Sequence, residues 1–268
     1  MKEYEADTYG HLHPISHIIR QTAYIFSQIG FSTVSGPEIE TEYYNFDALN
    51  IPAHHPARDM WDTFWLKQTN NQQSAADDGL AGGKDSKSSV VGSKLLRTHT
   101  SPVQVRFAEK NKPPIRIIVP GKTFRHEATD ATHEAQFFQL EGLYIDTDVS
   151  LANLKFVLEF YLEKLFGSKT DIRFRPSFFP FVEPGVEIDM SCFKCGGSGC
   201  PTCKQSGWIE IMGAGMVHPK VLSNMGIHPK RFSGFAFGGG IDRLAMLKFG
   251  IGDIRSLYTG DLRLINQF

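Results

Sequence analysis

The stretch IRIIVPGKTFRHEATDATHEAQFFQLEGLYID, Ile115 to Asp146, decides the architecture. Its two apolar runs, IRIIVPGKTFRHE and AQFFQLEGLYID, flank the polar connection ATDATHE, which predicts an antiparallel pair joined by a long loop. In an extended strand residues two apart face the same side, so Phe137, Gln139 and Glu141 line one face while Leu140 turns away. On the neighbouring run Thr123, Arg125 and Glu127 share a face by the same count. If the two faces coincide, one groove carries a carboxylate, an amide and a guanidinium, a set suited to a zwitterion plus a phosphate. The competing reading is an exposed sheet face with an ordinary Arg–Glu pair.

Upstream, apolar residues recur at helical spacing from Ile15 to Ile29 behind Pro14, predicting an amphipathic helix over 14–29 that Gly30 ends. FSTVSGPEIE reads as a strand broken at Pro37, and TEYYNFDALN as a short helix before the loop IPAHHPARD. The segment Thr69–Lys94 is poor in aromatics and rich in Gly, Ser, Asn and Asp, so it reads as a flexible surface insertion, with a functional lid as the alternative. Downstream, Leu151, Leu154, Val157, Leu158, Tyr161, Leu162 and Leu165 form one helical stripe over 150–166. DIRFRPSFFPF, VEIDMS, WIEIMGAGMV and GFAFGGG are strand-like, and a helix starts near Ile241. Helices and hairpins without regular βαβ alternation predict an α+β fold, a mainly antiparallel sheet flanked by helices in one domain over 1–268.

The charge is nearly balanced, 28 Lys+Arg against 29 Asp+Glu, so no overall basic field drives nucleic-acid binding and any such partner is held locally or by another subunit. No signal pattern opens the chain and no run of 18 apolar residues occurs, which predicts a cytoplasmic protein without membrane contact. In a reducing compartment the motif CFKCGGSGCPTC, Cys192 to Cys203, reads as metal ligands. Its spacing, C-x2-C-x4-C-x2-C, lies between two strand-like runs, so Cys192, Cys195, Cys200 and Cys203 would close a tetrahedral Zn2+ site at a hairpin tip. Four protein ligands leave no open position, which makes the zinc structural; an iron–sulfur cluster and two disulfides are the other readings. In GFAFGGGIDRLAMLKFG a Gly-rich strand end runs into a helix whose N-terminus attracts anions. Arg243 in that first turn opposes the helix dipole, which is easier to understand with an anionic ligand opposite.

FRHEATDATHEAQFFQLEG resembles motif 2 of the class II aminoacyl-tRNA synthetases, GGGIDRLAML resembles motif 3, and the helix leading to SGPEIE resembles motif 1 with its proline at Pro37. FDALNIPAHHPARDMWDTFWL, LLRTHTSPVQVR, RPSFFPF, GAGMVHPKVL and FGIGDIRSLYTGDLR together are similar to the catalytic core of bacterial phenylalanyl-tRNA synthetase α subunits, across nearly the whole chain apart from Thr69–Lys94. The resemblance implies that Arg125 and Arg243 hold ATP phosphates, with Glu127 and His133 also on the ATP side, and that Gln139 and Glu141 take the amino group of L-phenylalanine. It assigns Trp61, His99, Ser101 and Gln104 to the pocket, packs Phe179 and Phe181 on the ring, and makes Glu210 a Mg2+ ligand. Strand alternation puts Gly234, Ala236 and Gly238 on a bare face beneath that pocket, with Ala236 nearest the ring and Phe235 and Phe237 turned to the core.

The implied reaction is ATP-dependent activation of phenylalanine and transfer to tRNA(Phe), alongside a large β subunit that carries editing, in an α2β2 assembly. The family's α subunit also carries an N-terminal helical arm that contacts tRNA, whereas here the core begins almost at once, so a short or trimmed form or weakened charging is expected. Two other readings compete: a synthetase-like regulatory or binding protein, which predicts a damaged pocket, and a zinc-bearing nucleic-acid module, which the balanced charge opposes.

Overall fold

The computed structural model describes residues 10–51, 63–66 and 93–268. Pro14 opens helix α1 (Pro14–Ser27), where a missing N–H leaves no hydrogen bond unmade, and His13 Nδ1 accepts from the Ile15 N–H at 3.2 Å. The helix stops two residues short of Ile29, and Gly30 follows at φ 80°, reversing the chain into β1 (Ser32–Thr33). Strand β2 (Ile39–Thr41) leads into the short helix α2 (Glu42–Asn45) and a 3-10 turn over Asp47–Leu49. The 69–94 insertion falls almost wholly outside the described residues, which resume at Ser93; Lys94 starts β3 (Lys94–Leu96), the antiparallel partner of β2. Helix α3 (Ser101–Ala108) follows, and its Arg106 pairs with the buried Glu40 of β2.

The expected hairpin is present as β4 (Ile115–Phe124) and β5 (Gln136–Asp146), in a register that sets Thr123 opposite Phe137, Gly121 opposite Gln139 and Val119 opposite Glu141. Then come α4 (Leu151–Phe166), β6 (Ile172–Pro176), β7 (Val182–Ser191), β8 (Trp208–Val217), the six-residue α5 (Pro219–Asn224), β9 (Ser233–Gly240), α6 (Ile241–Phe249), a 3-10 turn at Ile254–Leu257 and α7 (Leu262–Ile265). The main sheet has seven strands in the order β1-β4-β5-β9-β8-β7-β6; β1 and β4 run parallel and every other neighbour pair is antiparallel. The sheet joins two local hairpins, β4–β5 and β7–β8, through β9, which is late in sequence and central in space.

Alternation along the strands divides the interior in two. Even positions of β5, such as Leu140, and odd positions of β9, Phe235 and Phe237, meet α1, α4 and α6 in one apolar cluster with Phe26, Leu158 and Tyr161. The opposite face, with Leu143 and Ile145, packs on Phe46, Leu49, Val103, Val217 and Val221 from α2, α3 and α5 and the segments beside them. At about 25 cal/mol per Å2 of buried apolar surface, each fully buried Leu or Phe here contributes roughly 1.5–3 kcal/mol, so both faces are strongly held. The second face is interrupted at its centre by a cavity. Among the described residues no helix is long and apolar enough to cross a membrane.

Candidate active site

Glu141 sits at the polar end of the cavity. It lies on β5 opposite Val119 and, across the other edge, opposite Gly238 of β9. A Cβ at Gly238 would stand 2.8 Å from Glu141 Cγ, so glycine there is what lets the carboxylate lie along the sheet. The turn that starts α3 wraps the carboxylate: Oε1 accepts the Thr100 N–H at 3.0 Å, and Oε2 accepts from Ser101 Oγ and from Gln104 Nε2 at 3.1 Å. Burial outweighs these donors and raises the Glu141 pKa from 4.5 to about 7. Gln139, two residues away on the same face, presents a buried Oε1 that has no hydrogen-bond partner among the described residues. Such an atom costs about 1–3 kcal/mol unless something supplies a donor.

His99 Nε2 lies 3.1 Å from Asn45 O, and burial beside Arg125 pushes its pKa down to about 3, so it is neutral. Arg125 Nε donates to Thr98 O at 3.2 Å, and its guanidinium lies 5.0 Å from the centre of the Phe137 ring. Strand β4 ends at Phe124, so period-two alternation fails beyond it: Arg125 still reaches the cavity wall, but Glu127 is exposed on the β4–β5 connection and does not share a face with Thr123. His133, on the same connection, is exposed and pairs with Asp130 at 3.0 Å.

The other end of the cavity is apolar. Phe179 and Phe181 stack with centroids 5.9 Å apart and ring planes 21° from parallel. Ala236 of β9 faces them, as the alternation predicts, and Leu49, Val182, Val217, Val221 and Met225 complete the wall of a cavity of about 270 Å3. None of these last five carries a signal in the sequence, since an apolar side chain in a pocket wall has the same chemistry as one in a core. A Cβ at Gly213 would approach Phe179 Cζ to 2.9 Å, so the aromatic wall also depends on a glycine. Trp61 lies outside the described residues.

Arg243 and Glu210 stand outside the cavity. Arg243 is exposed on the first turn of α6, with Nε donating to Glu210 O at 3.2 Å. The Glu210 side chain is exposed and paired with Arg175 at 3.0 Å, and Arg175 in turn holds the buried Asp189 at 2.8 Å. Among the described residues Glu210 belongs to no cluster of three or more metal-ligand groups, so Mg2+ at this position would depend on oxygens brought by the nucleotide.

The four cysteines do form such a cluster, at the tip of the β7–β8 hairpin, with all Sγ atoms within 4.8 Å of one another. Cys192 and Cys200 are 3.7 Å apart, Cys200 and Cys203 3.7 Å, and Cys195 and Cys203 3.8 Å. Thiolates about 2.3 Å from one tetrahedral ion stand about 3.8 Å apart, so the donor set fits zinc and all four cysteines are free of disulfides. Backbone N–H groups reinforce it: the Gly199 N–H points to Cys195 Sγ at 3.3 Å and the Cys200 N–H to Cys203 Sγ at 3.1 Å.

An antiparallel sheet on helices, with a buried carboxylate and an arginine converging on one cavity, is the catalytic core of class II tRNA synthetases, and residues 2–268 match that family's core domain in its F type. Phenylalanine–tRNA ligase alpha subunits of Bacillus licheniformis and Dehalococcoides mccartyi are 50% and 52% identical over 261 and 260 residues, covering 97% of this chain and 69% and 70% of theirs. That of Bacillus subtilis is 49% identical. The chain belongs to the family of phenylalanine–tRNA ligase alpha subunits. The same fold, at 20% identity and a TM-score of 0.62, is found in the pyrrolysyl-tRNA synthetase of Desulfitobacterium hafniense, over 92% of this chain and 74% of that one.

Proposed function

We propose that the cavity binds L-phenylalanine, that the chain activates it with ATP and transfers it to tRNA(Phe), and that residues 1–268 act as one catalytic domain. One observation carries this reading: a buried carboxylate and the Oε1 of Gln139, which has no partner among the described residues, occupy the polar end of a cavity whose other walls are aromatic and aliphatic. The substrate ammonium supplies three donors, which match Glu141 and Gln139 Oε1. The ring then lies against Phe179, Phe181 and Ala236.

The carboxylate of phenylalanine attacks the α-phosphorus of ATP, an aminoacyl–phosphate bond forms, and pyrophosphate leaves. The nucleophile is already ionised, so no general base is required. Arg125 and Arg243 orient the phosphates and offset charge that develops on them, and positioning supplies most of the acceleration. In the second step the terminal ribose hydroxyl of tRNA attacks the acyl carbon and AMP leaves. Mg2+ entering with ATP would neutralise phosphate charge, with Glu210 as its ligand from the protein. Zinc in the cysteine cluster holds the hairpin and takes no part in the chemistry. The enzyme works in the cytoplasm with a large β subunit, as α2β2, and editing of tyrosine falls to that partner because an apolar pocket rejects one hydroxyl poorly. The test is phenylalanine-dependent ATP–pyrophosphate exchange by the purified chain with and without a bacterial β subunit. Exchange that depends on phenylalanine is expected in the complex, and its absence there overturns the reading.

A further inference from the structure

One residue at the apolar end of the cavity also lines a second depression. Met225 lines the cavity beside Val221 and, on its other side, lines an open groove between the Ala108–Pro113 turn and the Met225–Phe232 segment. Among the described residues it is the one shared by the two, and only 2% of it is exposed, so it is the partition between them. Phe179 and Val182 likewise part the cavity from another depression, but a stacked ring and a β-branched strand residue are stiff walls.

Met225 is a soft wall on a fixed base. It caps the C-terminus of α5, its N–H bonding Val221 O at 3.0 Å, and Gly226 at φ 74° ends the turn directly behind it. The backbone is therefore held, while the side chain keeps three rotatable bonds and an unbranched thioether that adapts to its neighbours. The groove beyond is basic at its rim, with Lys110, Lys112, Lys230 and Arg231 against Glu109 as the acid.

We propose that Met225 sets the length of the ring substituent that the phenylalanine pocket accepts, and that the groove behind it is the space into which an extended para substituent passes, with a preference for an anionic tip. This rests on the reading of the cavity as the phenylalanine site. Shortening the side chain joins cavity to groove. Room for even one methylene changes discrimination by about tenfold or more, so the effect on a longer substituent is large.

The experiment measures amino-acid-dependent ATP–pyrophosphate exchange in the complete synthetase with phenylalanine and with three para-extended analogues: O-propyltyrosine, O-(2-carboxyethyl)tyrosine and O-(3-aminopropyl)tyrosine. For Met225→Ala the ratio of kcat/KM for O-propyltyrosine to that for phenylalanine should rise at least about tenfold over wild type. The carboxylate-tipped analogue should be used better than the ammonium-tipped one. Met225→Leu, which conserves volume, should keep the wild-type ratio, and Met225→Val, a milder truncation, should move it the same way as Met225→Ala and stands in for it if that variant does not fold. Exchange with phenylalanine by wild type but an unchanged ratio in both truncations would overturn the role of Met225. Equal use of the two charged analogues would overturn the groove as the route. No exchange with phenylalanine in the wild-type complex would instead remove the function on which the proposal rests.

Discussion

Two polar clusters, one at the tip of the β7–β8 hairpin and one on β5 inside the cavity, differ in where their polar groups point. At the hairpin tip the four thiols converge on one another, with every Sγ inside 4.8 Å and backbone N–H groups behind two of them. In the cavity Glu141 is also held from behind, by Thr100, Ser101 and Gln104, but Gln139 Oε1 has no hydrogen-bond partner among the described residues and the aromatic walls leave space in front of the carboxylate. A cluster that satisfies itself around one ion builds structure, and a cluster left with a buried atom unsatisfied is completed by a ligand. The contrast separates a cluster that could hold a metal from a cavity that could hold a ligand without reference to any relative.

It is broken most forcefully by removing the metal. Structural zinc contributes on the order of 10 kcal/mol in isolated finger peptides, and about half of that here would lower Tm by roughly 10–20 °C. Cys192→Ser with Cys195→Ser should release one zinc per chain by metal analysis and bring that loss in a thermal melt. Stoichiometric iron in the native protein, or an unchanged melt after chelation, contradicts the assignment. Next in size is Glu141→Gln, which leaves the substrate ammonium without its counter-charge and should weaken phenylalanine binding by about 2–5 kcal/mol, read by calorimetry, with Tm shifted far less than by zinc loss. Unchanged affinity would take Glu141 out of the site.

The pH dependence sharpens the comparison further. Folding raises Glu141 from 4.5 to about 7, so the folded state holds its proton more tightly, and this group's contribution to stability is greatest below pH 4.5 and declines as pH rises toward 7. Binding runs the other way because the ammonium needs the ionised carboxylate: phenylalanine affinity should fall about tenfold per pH unit below 7 and level off above it. Titration at pH 6 in buffers of different ionisation enthalpy should register proton release, and a flat profile from pH 5 to 8 would contradict it. The smallest effect belongs to Ala236→Gly. It opens one methyl's worth of space against the ring and should raise relative use of para-chlorophenylalanine by about 1 kcal/mol, while Ala236→Val blocks phenylalanine itself. Wild-type selectivity in both variants would show that Ala236 does not touch the ring.

What was legible in the sequence were the features written in a period. The stripes of α1 and α4, the β4–β5 hairpin and the alternation of Ala236 with Phe235 and Phe237 follow from spacings of 3.6 and 2. The alternation misled where the strand stopped: Glu127 was counted past Phe124, but its N–H bonds Arg125 O at 2.9 Å, a tight turn that breaks the period of two. The apolar walls were illegible for a different reason. Met225 and Val182 reach the same cavity from separate elements, and nothing local distinguishes a methionine that bounds a void from one that fills it. Gly238 was legible as part of the bare face of β9, but Gly213 carried no signal, although the close approach of Phe179 depends on it.

The place of β9 has a consequence in time. A ribosome delivers β4–β5 first and β7–β8 later, and each hairpin can close on itself as it emerges, but β9, which belongs between them, is made after both. Until it arrives β5 and β8 present open edges, and the strand that contributes Ala236 and Gly238 to the cavity is missing. Pairings so far apart in sequence form slowly. The nascent chain is therefore most exposed to aggregation in the interval before β9 inserts, and the cavity comes into being only with that last insertion, so a ligand that fills it can stabilise finished chains and cannot rescue incomplete ones.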